Sequence, residues 1–539
     1  MLSIGTYSID EEKIGSLLAD KPYAEKLLPL LSDNNNLGKA AFLSQLSAAS
    51  EKTNTTIYQE KALPVDLVEQ SIDAISTEPI LFNEKIINEI DELSEVQKTD
   101  LLAYSSWMVN QSYAATELKT SLRNSIQNIN SQIISKHGIS STELGSLKNS
   151  LLFHSSIGFV SGYSNLLFFL TFILASIAGL LIIIPDFQLK GVPGIKNDGI
   201  FFHPMTSRKW LGILTGSLLI GFYIILYWFP YLLTEWIVIS NDFSLWISGN
   251  PSSQWFVYGL FYTLVVIVMG VRMWMKYRHS NYHKVRTFSV IFFQFAFAFL
   301  IPNLLSKNQL PAIDLKNMWP LDYSFFFEYR LDHLISHGVF GYFLLVWGIV
   351  LFVIGVPIMT YFYGKRWYCS WVCGCGGLAE TLGDPYRQLS DKSVKAWKIE
   401  RYLIHFVLVF AIIMTTLVLY TYFTGESQLL GLDSYKVRAW YGFFIGSAFA
   451  GVVGTGFYPL MGNRTWCRFG CPLAAYMGIV QRFKSRFRIT TNGGQCISCG
   501  NCSTYCEQGI DVRSYAQKGE NIVRASCVGC GVCASVCPR

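Results

Sequence analysis

Charge is scarce in this sequence. Only 15% of its 539 residues are Asp, Glu, Lys or Arg, against about a quarter in soluble domains. Hydrophobic residues reach 51% and mean hydropathy is +0.32, so an ordinary soluble globule is excluded. Cysteine is missing from residues 1–368, and all 13 lie between Cys369 and Cys537. Histidine is rare too, with eight in the chain. Only His405 sits clearly inside an apolar run, which argues against a b-type haem needing two facing axial ligands. The opening MLSIGTYSIDEEKIGSLL has acidic residues where a secretory signal would be basic, and no apolar stretch follows. No GxGxxG follows a strand. The glycines around Gly374–Gly377 end an apolar run, so a dinucleotide fold is not indicated.

What is present is unevenly spread. Residues 1–150 hold 12 basic and 20 acidic residues, and the remainder hold 31 and 17. An acidic, cysteine-free head over 1–150 thus precedes a basic part. Ile72, Ile75, Leu81, Ile86, Ile87 and Ile90 recur at threes and fours, predicting helices in the head. Seven apolar runs, each near the ~20 residues that cross a bilayer, predict spans at Leu166–Ile184, Leu211–Phe229, Trp255–Val271, Phe288–Leu305, Val339–Tyr361, Ile404–Phe423 and Trp440–Met461. The connection RMWMKYRHSNYHKVR carries Arg272, Lys276, Arg278, Lys284 and Arg286, whereas NDFSLWISGNPSSQ carries no Lys or Arg. Basic loops mark the cytoplasmic side, so spans five and seven are expected to end there. An odd number of spans then places the head outside. Gly442, Gly446, Ala450 and Gly454 fall every four residues and predict close helix packing on span seven.

The tail carries the most specific motif. CISCGNCSTYC from Cys496 and CVGCGVCASVC from Cys527 each read C-x2-C-x2-C-x3-C, with 20 residues between them. In that spacing three thiolates close on one cubane and the fourth reaches the other. Cys496, Cys499, Cys502 and Cys537 are expected to hold one [4Fe–4S] cluster, and Cys527, Cys530, Cys533 and Cys506 a second. Tetrahedral zinc would leave the third cysteine of each quartet unused, and disulfides are disfavoured in a reducing cytoplasm. Glu507 follows the first quartet where proline is common.

Cys369/Cys373 and Cys467/Cys471 form two C-x3-C pairs at span ends. On a helix such pairs share one face about 6 Å apart. They read as a joint four-thiolate metal or cluster site, as dithiols cycling with disulfides, or as packed apolar residues. Lys365, Arg366, Arg464 and Arg468 would favour thiolates. Cys375 is a spare ligand candidate.

Weaker signals remain. Glu328, Asp332, His333 and His337 crowd the loop before span five, where Asp332 and His333 could take protons or form a solvated helix. QRFKSRFR reads as a basic collar for anionic lipid headgroups or for an acidic partner protein.

Spans bearing paired C-x3-C motifs ahead of a two-cluster tail resemble, over roughly 338–539, the membrane-bound polyferredoxins. That family includes NosR-type activators of nitrous-oxide reductase, NapH-type quinol dehydrogenase subunits, and copper reductases of cytochrome-oxidase assembly. The resemblance implies single-electron transfer from a quinol or a cytoplasmic ferredoxin-like donor to a respiratory or metalloenzyme partner, with copper reduction and assembly as the alternative. It implies an electron carrier or redox subunit of the bacterial inner membrane, with its tail cytoplasmic, rather than a stand-alone enzyme. No nucleic-acid partner is expected. The first pair lacks the proline that follows Cys471, and no flavin-attachment threonine motif is seen in 1–150. The end at Arg539, where copper reductases carry a further domain, reads as a truncation. The expected architecture is an all-α multi-span membrane protein over 160–465, with a helical head and a small α+β two-cluster ferredoxin-like domain over 490–539.

Overall fold

The computed structural model describes residues 5–31, 36–74, 79–88, 90, 93–189 and 210–538. It divides into two compact units, Met1–Ser164 with Tyr231–Val238, and Asn165–Pro230 with Ile239–Arg539.

The first unit is helical, led by Lys39–Lys61, Ala115–His137 and Ser141–His154. Thr6–Tyr7 pairs antiparallel with Leu37–Gly38 and Ser156–Ile157. Two apolar cores fill it, one around Tyr7, Phe42 and Leu151 and one around Ile72, Phe82 and Leu122. The unit runs past residue 150 because Leu151 and Leu152 belong to its core. It also takes in the segment after span two, where Glu235 pairs with the buried Lys39 and accepts from the Tyr7 hydroxyl at 3.2 Å. The helical period expected over 72–90 is interrupted. A helix ends at Asp73, Ile80–Leu81 form a short strand with Ser112–Tyr113, and Glu84–Asn88 starts afresh. Pro79 cannot continue a helix, having no N–H and a ring that clashes with the previous turn. Leu81 is consequently exposed while Ile72, Ile87 and Ile90 are buried. Ile75 lies outside the described residues.

Among the described residues seven helices are long and apolar enough to cross a membrane: Ser164–Leu181, Trp210–Trp228, Gln254–Lys276, Asn281–Lys307, Gly338–Tyr363, Val394–Thr424 and Ser434–Gly456. The second unit holds them, save Ser164. Its main core joins spans five, six and seven to helix Pro472–Lys484, through Val356, Val407, Met414, Tyr441 and Met477. Spans four, five and seven contain wider π-type turns at Phe293–Leu300, Leu351–Gly355 and Tyr441–Val453. Such turns rotate the side chains that follow them and recur at functional sites. The tail holds short helices Asn501–Thr504, Val512–Lys518 and Val532–Ser535 with one antiparallel bridge, Ile489 to Ile522. Tail and spans form one unit.

Gly456 of span seven lies against the span-two backbone at Ile220, while other glycines of the span face aromatic side chains. A Cβ at Gly446 would come within 2.8 Å of the Tyr323 hydroxyl, and one at Gly451 within 2.6 Å of the Tyr227 ring. They make room for aromatic rings.

Candidate iron–sulfur and membrane-face cysteine site

The two tail quartets repeat one local design. Gly500 and Gly531, each following the second cysteine, have φ of +82° and +77° and open the short helices that carry the third. That left-handed turn suits glycine. Cys496, Cys499, Cys502 and Cys537 line one cavity of about 230 Å³. Cys502 feels both Cys499 and Cys537, and burial pushes its thiol up to about 11. Cys527, Cys533 and Cys506 influence one another, and Cys506 accepts hydrogen bonds from the amides of Gln508 and Ile510. The Gly529 amide donates to Cys527, whose thiol burial pushes up to about 12. Amides aimed at sulfur, with a void between four sulfurs, are what a cubane needs from its protein. The residues fit the group.

The second quartet is fastened to the span ends. Ser370 Oγ donates to the Val528 carbonyl at 2.8 Å, Tyr282 to the Gly529 carbonyl at 3.0 Å, and Gln481 Nε2 to the Cys527 carbonyl at 3.0 Å. This sets the tail cysteines beside the membrane-face pairs.

Those pairs do not lie on continuous helices. Cys369 ends the helix Arg366–Cys369, the chain turns, and Cys373 caps the next helix, Gly374–Thr381. Cys467 sits in a π-type turn, Trp466–Gly470, and Cys471 caps Pro472–Lys484, its sulfur accepting from the Ala474 amide at 3.4 Å. Gly374 and Pro472 both follow a cysteine and start a helix, so each pair brackets a turn. All four are buried, and each acts electrostatically on others of the group. The helix after Cys373 packs so closely that a Cβ at Gly376 would fall 2.1 Å from the Cys369 carbonyl oxygen. Gln294, in the widened turn of span four, donates to the Val372 carbonyl at 2.8 Å and fixes the first turn.

The basic neighbours do less than their positions suggested. Burial raises the thiols of Cys369, Cys467 and Cys471, despite Lys365 and Arg464 near Cys369 and Arg464 near Cys467. Only Cys373 falls, to about 6, chiefly because the Cys375 thiol donates to its sulfur. Arg464 reaches the Cys467 sulfur at 3.7 Å and the Cys369 carbonyl at 3.1 Å, whereas Arg468 is taken by Glu400 at 2.7 Å and Arg366 lies over the Phe487 ring. Buried thiols that resist ionising alone are released from protons when a metal binds them together.

Behind the cysteines lies a buried charge network that the sequence did not announce. Glu380 takes Arg286 at 2.8 Å, Arg387 at 2.7 Å and Arg464 at 2.5 Å. Glu507 takes Arg387 at 2.6 Å and Arg464 at 3.0 Å, and accepts from Asn463 Nδ2 at 3.1 Å. Asp384 takes Arg272 at 3.0 Å and Lys276 at 2.6 Å. The Glu380, Glu507 and Cys530 ligand atoms lie within 4.8 Å of one another, so the network touches the second quartet. Burial alone would raise Glu380, but its three guanidiniums hold it well below the ordinary carboxylate range, whereas burial wins at Glu507 and raises it. Glu507, which stands where proline is common, is therefore a bridge from tail to span ends. An acid amid the small apolar residues of GCGGLAET was the signal for Glu380.

A cavity of about 470 Å³ opens beside this site. Seven tyrosines line it: Tyr223, Tyr227, Tyr258, Tyr262, Tyr323, Tyr441 and Tyr458. Cys375, exposed within it, and Cys467 form part of its wall. The connection from span four to span five folds back into the bundle to reach it. Trp319 Nε1 donates to Thr415 Oγ1 at 2.9 Å, Asn317 Oδ1 accepts from the Tyr368 hydroxyl at 3.4 Å, and Asp314 and Lys316 pair at the cavity edge. Burial raises Asp314 although Lys316 pulls it back. Trp466 Nε1 and Asn463 Oδ1, two buried polar atoms of the lining, have no hydrogen-bond partner among the described residues.

The other candidates lie apart. Asp332 and Glu328, on helix Glu328–Ser336, accept from the hydroxyls of Tyr422 and Tyr435 at 3.0 and 3.1 Å. The His333 and His337 rings lie 4.5 Å apart and tilted, and none of the four lines the cavity. His405 is exposed and held to the Arg401 carbonyl at 2.6 Å.

Comparison with known proteins meets this geometry at the cysteines. Residues 345–398 and 441–490, which contain the two C-x3-C pairs, match a family described as a 4Fe-4S binding domain. Residues 488–538 match one described as a 4Fe-4S dicluster domain. A relative named "Putative electron transport protein YccM", from Escherichia coli (strain K12), is 28% identical over 182 residues, 32% of this chain and 49% of the relative. The chain therefore spans about half the length of the curated relative it matches. No solved structure matches. The matched domains are described by 4Fe-4S binding and the relative by electron transport, and together with the apolar helices of this fold they fit a membrane protein of the polyferredoxin type.

Proposed function

We propose that this protein takes electrons from a quinol within the membrane and passes them singly to a respiratory partner, through the membrane-face cysteines and the tail. The tyrosine-lined cavity ending on Cys375 and Cys467 carries this reading. Cys496, Cys499, Cys502 and Cys537 would hold one [4Fe–4S] cluster and Cys527, Cys530, Cys533 and Cys506 another. Cys369, Cys373, Cys467 and Cys471 would hold a third metal centre. Held by these thiolates, such clusters supply one-electron chemistry.

The chain's own groups perform the rest. A quinol head has a flat ring and two oxygens. Tyrosine faces suit the ring, and Trp466 Nε1 and Asn463 Oδ1 offer an unused donor and an unused acceptor. Oxidation releases two protons with two electrons, and Asp314, raised by burial, is placed to accept a proton. Before that transfer its partner Lys316 offsets the carboxylate charge. Lys365, Arg366, Arg464, Arg468, Arg482, Lys484, Arg486 and Arg488 cluster at the tail end, which supports a cytoplasmic tail in a bacterial inner membrane.

The test is quinol-driven reduction of the purified, reconstituted protein, followed by electron paramagnetic resonance across pH. Reduction should quicken as pH rises through the raised Asp314 value, where the carboxylate becomes available. Asp314→Asn should remove that dependence and slow reduction at least ~100-fold. Clusters reduced by a ferredoxin-like protein but never by quinol would overturn the donor. Copper in place of iron at the membrane-face cysteines would favour a metal-assembly role.

A further inference from the structure

A second cavity, of about 610 Å³, lies at the tail end of span six, and shares no lining residue with the tyrosine-lined one. Its size falls within the ~300–1,000 Å³ typical of ligand sites. Span six and helix Pro472–Lys484 form its walls, and residues 523–526 of the tail close one side. Four cations line it: Lys365, Arg401, Arg482 and Arg524. The one carboxylate in the lining, Glu400, is committed to Arg468 at 2.7 Å. His405 is tied through Nδ1 to the Arg401 carbonyl. Among the described residues, no carboxylate comes within ion-pair distance of any of the four.

Lys365 is the telling member. Its side chain is only 3% exposed, yet its ammonium has no hydrogen-bond partner among the described residues. It lies 3.1 Å from where a Cβ on Gly478 would stand, and Gly478 itself lines the cavity. A buried ammonium facing a cavity, with no carboxylate beside it, leaves room there for an anion to offset its charge.

The rim says which anion. Trp397 stacks with Arg524 at 5.5 Å, Tyr402 and Phe483 are exposed, and Ile404 and Ile479 continue the wall along the span. Cations, exposed aromatics and apolar side chains lining one cavity suit an amphiphile. A free phosphate would use only the cations.

We propose that this cavity binds the phosphate headgroup of one anionic phospholipid, with an acyl chain along Ile404 and Ile479. The site is distinct from the tyrosine-lined cavity. It places a lipid anion next to Lys365, which sits between Cys369 and Cys527 and acts electrostatically on both.

The experiment uses the full-length, cluster-loaded protein in detergent, with native mass spectrometry after adding phosphatidylglycerol, phosphatidylcholine or inorganic phosphate. One phosphatidylglycerol per chain should survive activation that strips phosphatidylcholine. Arg401→Ala, Arg482→Ala and Arg524→Ala together should weaken retention by about a hundredfold, with iron content unchanged as the control for folding. Lys365→Met should also weaken it. Equal retention of both lipids, or undiminished retention by the triple variant, would overturn the site. Stoichiometric displacement by inorganic phosphate would overturn the lipid as its occupant.

Discussion

The tail quartets and the membrane-face pairs put cysteine to use in opposite ways. In the tail, three cysteines of each quartet come from one short loop, and the repeat is local: a left-handed glycine, one helical turn, the next cysteine. At the membrane face each pair brackets a break in a helix, and about a hundred residues and two spans separate the pairs. A local site can be read from spacing because its geometry is set by adjacent backbone. A site assembled by tertiary packing needs something to hold its halves together, and here that is buried charge. Glu380 sits on the helix capped by Cys373, Arg464 precedes Cys467, and Glu507 follows Cys506.

The sharpest way to break this comparison is to remove the carboxylate the halves share. Glu380→Gln leaves Arg286, Arg387 and Arg464 with one fewer countercharge in a buried setting. Deleting one member of such a network costs about 3–5 kcal/mol. Thermal unfolding in detergent should show that loss, whereas an unchanged midpoint would mean that the two sites are held independently. The pH dependence has a definite sign. Glu380 is depressed in the fold, so its stabilisation is complete above the ordinary glutamate value of about 4.3 and is lost as pH falls below that. Glu507 is raised, so its contribution is complete at low pH and fades as pH rises through its raised value. Glu380→Gln should flatten the acid limb alone.

Next in size is metal content. Cys467→Ser should remove the membrane-face metal and leave the tail with about eight irons. Cys527→Ser should instead lower the tail content by about four irons and spare the membrane-face centre. Iron lost from both sites in either variant would make them one cooperative unit.

Much of this was legible beforehand, for identifiable reasons. Span positions followed from composition, and each of the seven agrees with a helix in the structure. The repeated turn within each quartet followed from spacing that backbone geometry enforces. The charge network was hidden because the same residues carried another meaning. Arg272, Lys276 and Arg286 counted as a basic loop marking one side of the membrane, yet they lie within spans three and four and bind Asp384 and Glu380. Charge frequency says which end of a helix faces which side. It does not say which cation meets which acid. The cavity was hidden too, since the Asp314–Lys316 stretch reads as an ordinary connection until it folds back among the spans. The acids singled out instead, Asp332 and Glu328, take tyrosine hydroxyls away from the cysteines.

A smaller perturbation separates the quartets from each other. Gly500→Ala and Gly531→Ala both force alanine into a left-handed turn at about 1–2 kcal/mol. At Gly500 the new methyl would meet only Arg513 Nη1 at 3.9 Å, but at Gly531 it would lie 2.7 Å from the Tyr282 ring. Tyr282 is the residue that docks the second quartet to the span ends. Iron release under mild chelation should therefore be faster in Gly531→Ala than in Gly500→Ala. Equal rates would remove the docking from the explanation.

The mildest test touches neither cysteine region but the space between the spans. At Gly446 an added methyl would stand 2.8 Å from the Tyr323 hydroxyl, the end of a side chain that can swing. Relief by that movement keeps the cost near the low end of overpacking, about 1 kcal/mol. Tyr323 would swing toward the cavity that it lines together with Tyr441 and Cys375. Gly446→Ala should accordingly leave iron content and the tail spectrum unchanged while raising the KM for quinol. If KM stays constant as stability falls, Tyr323 packs the span and does not bound the quinol, and the cavity wall must be drawn from Tyr223, Tyr258 and Tyr262.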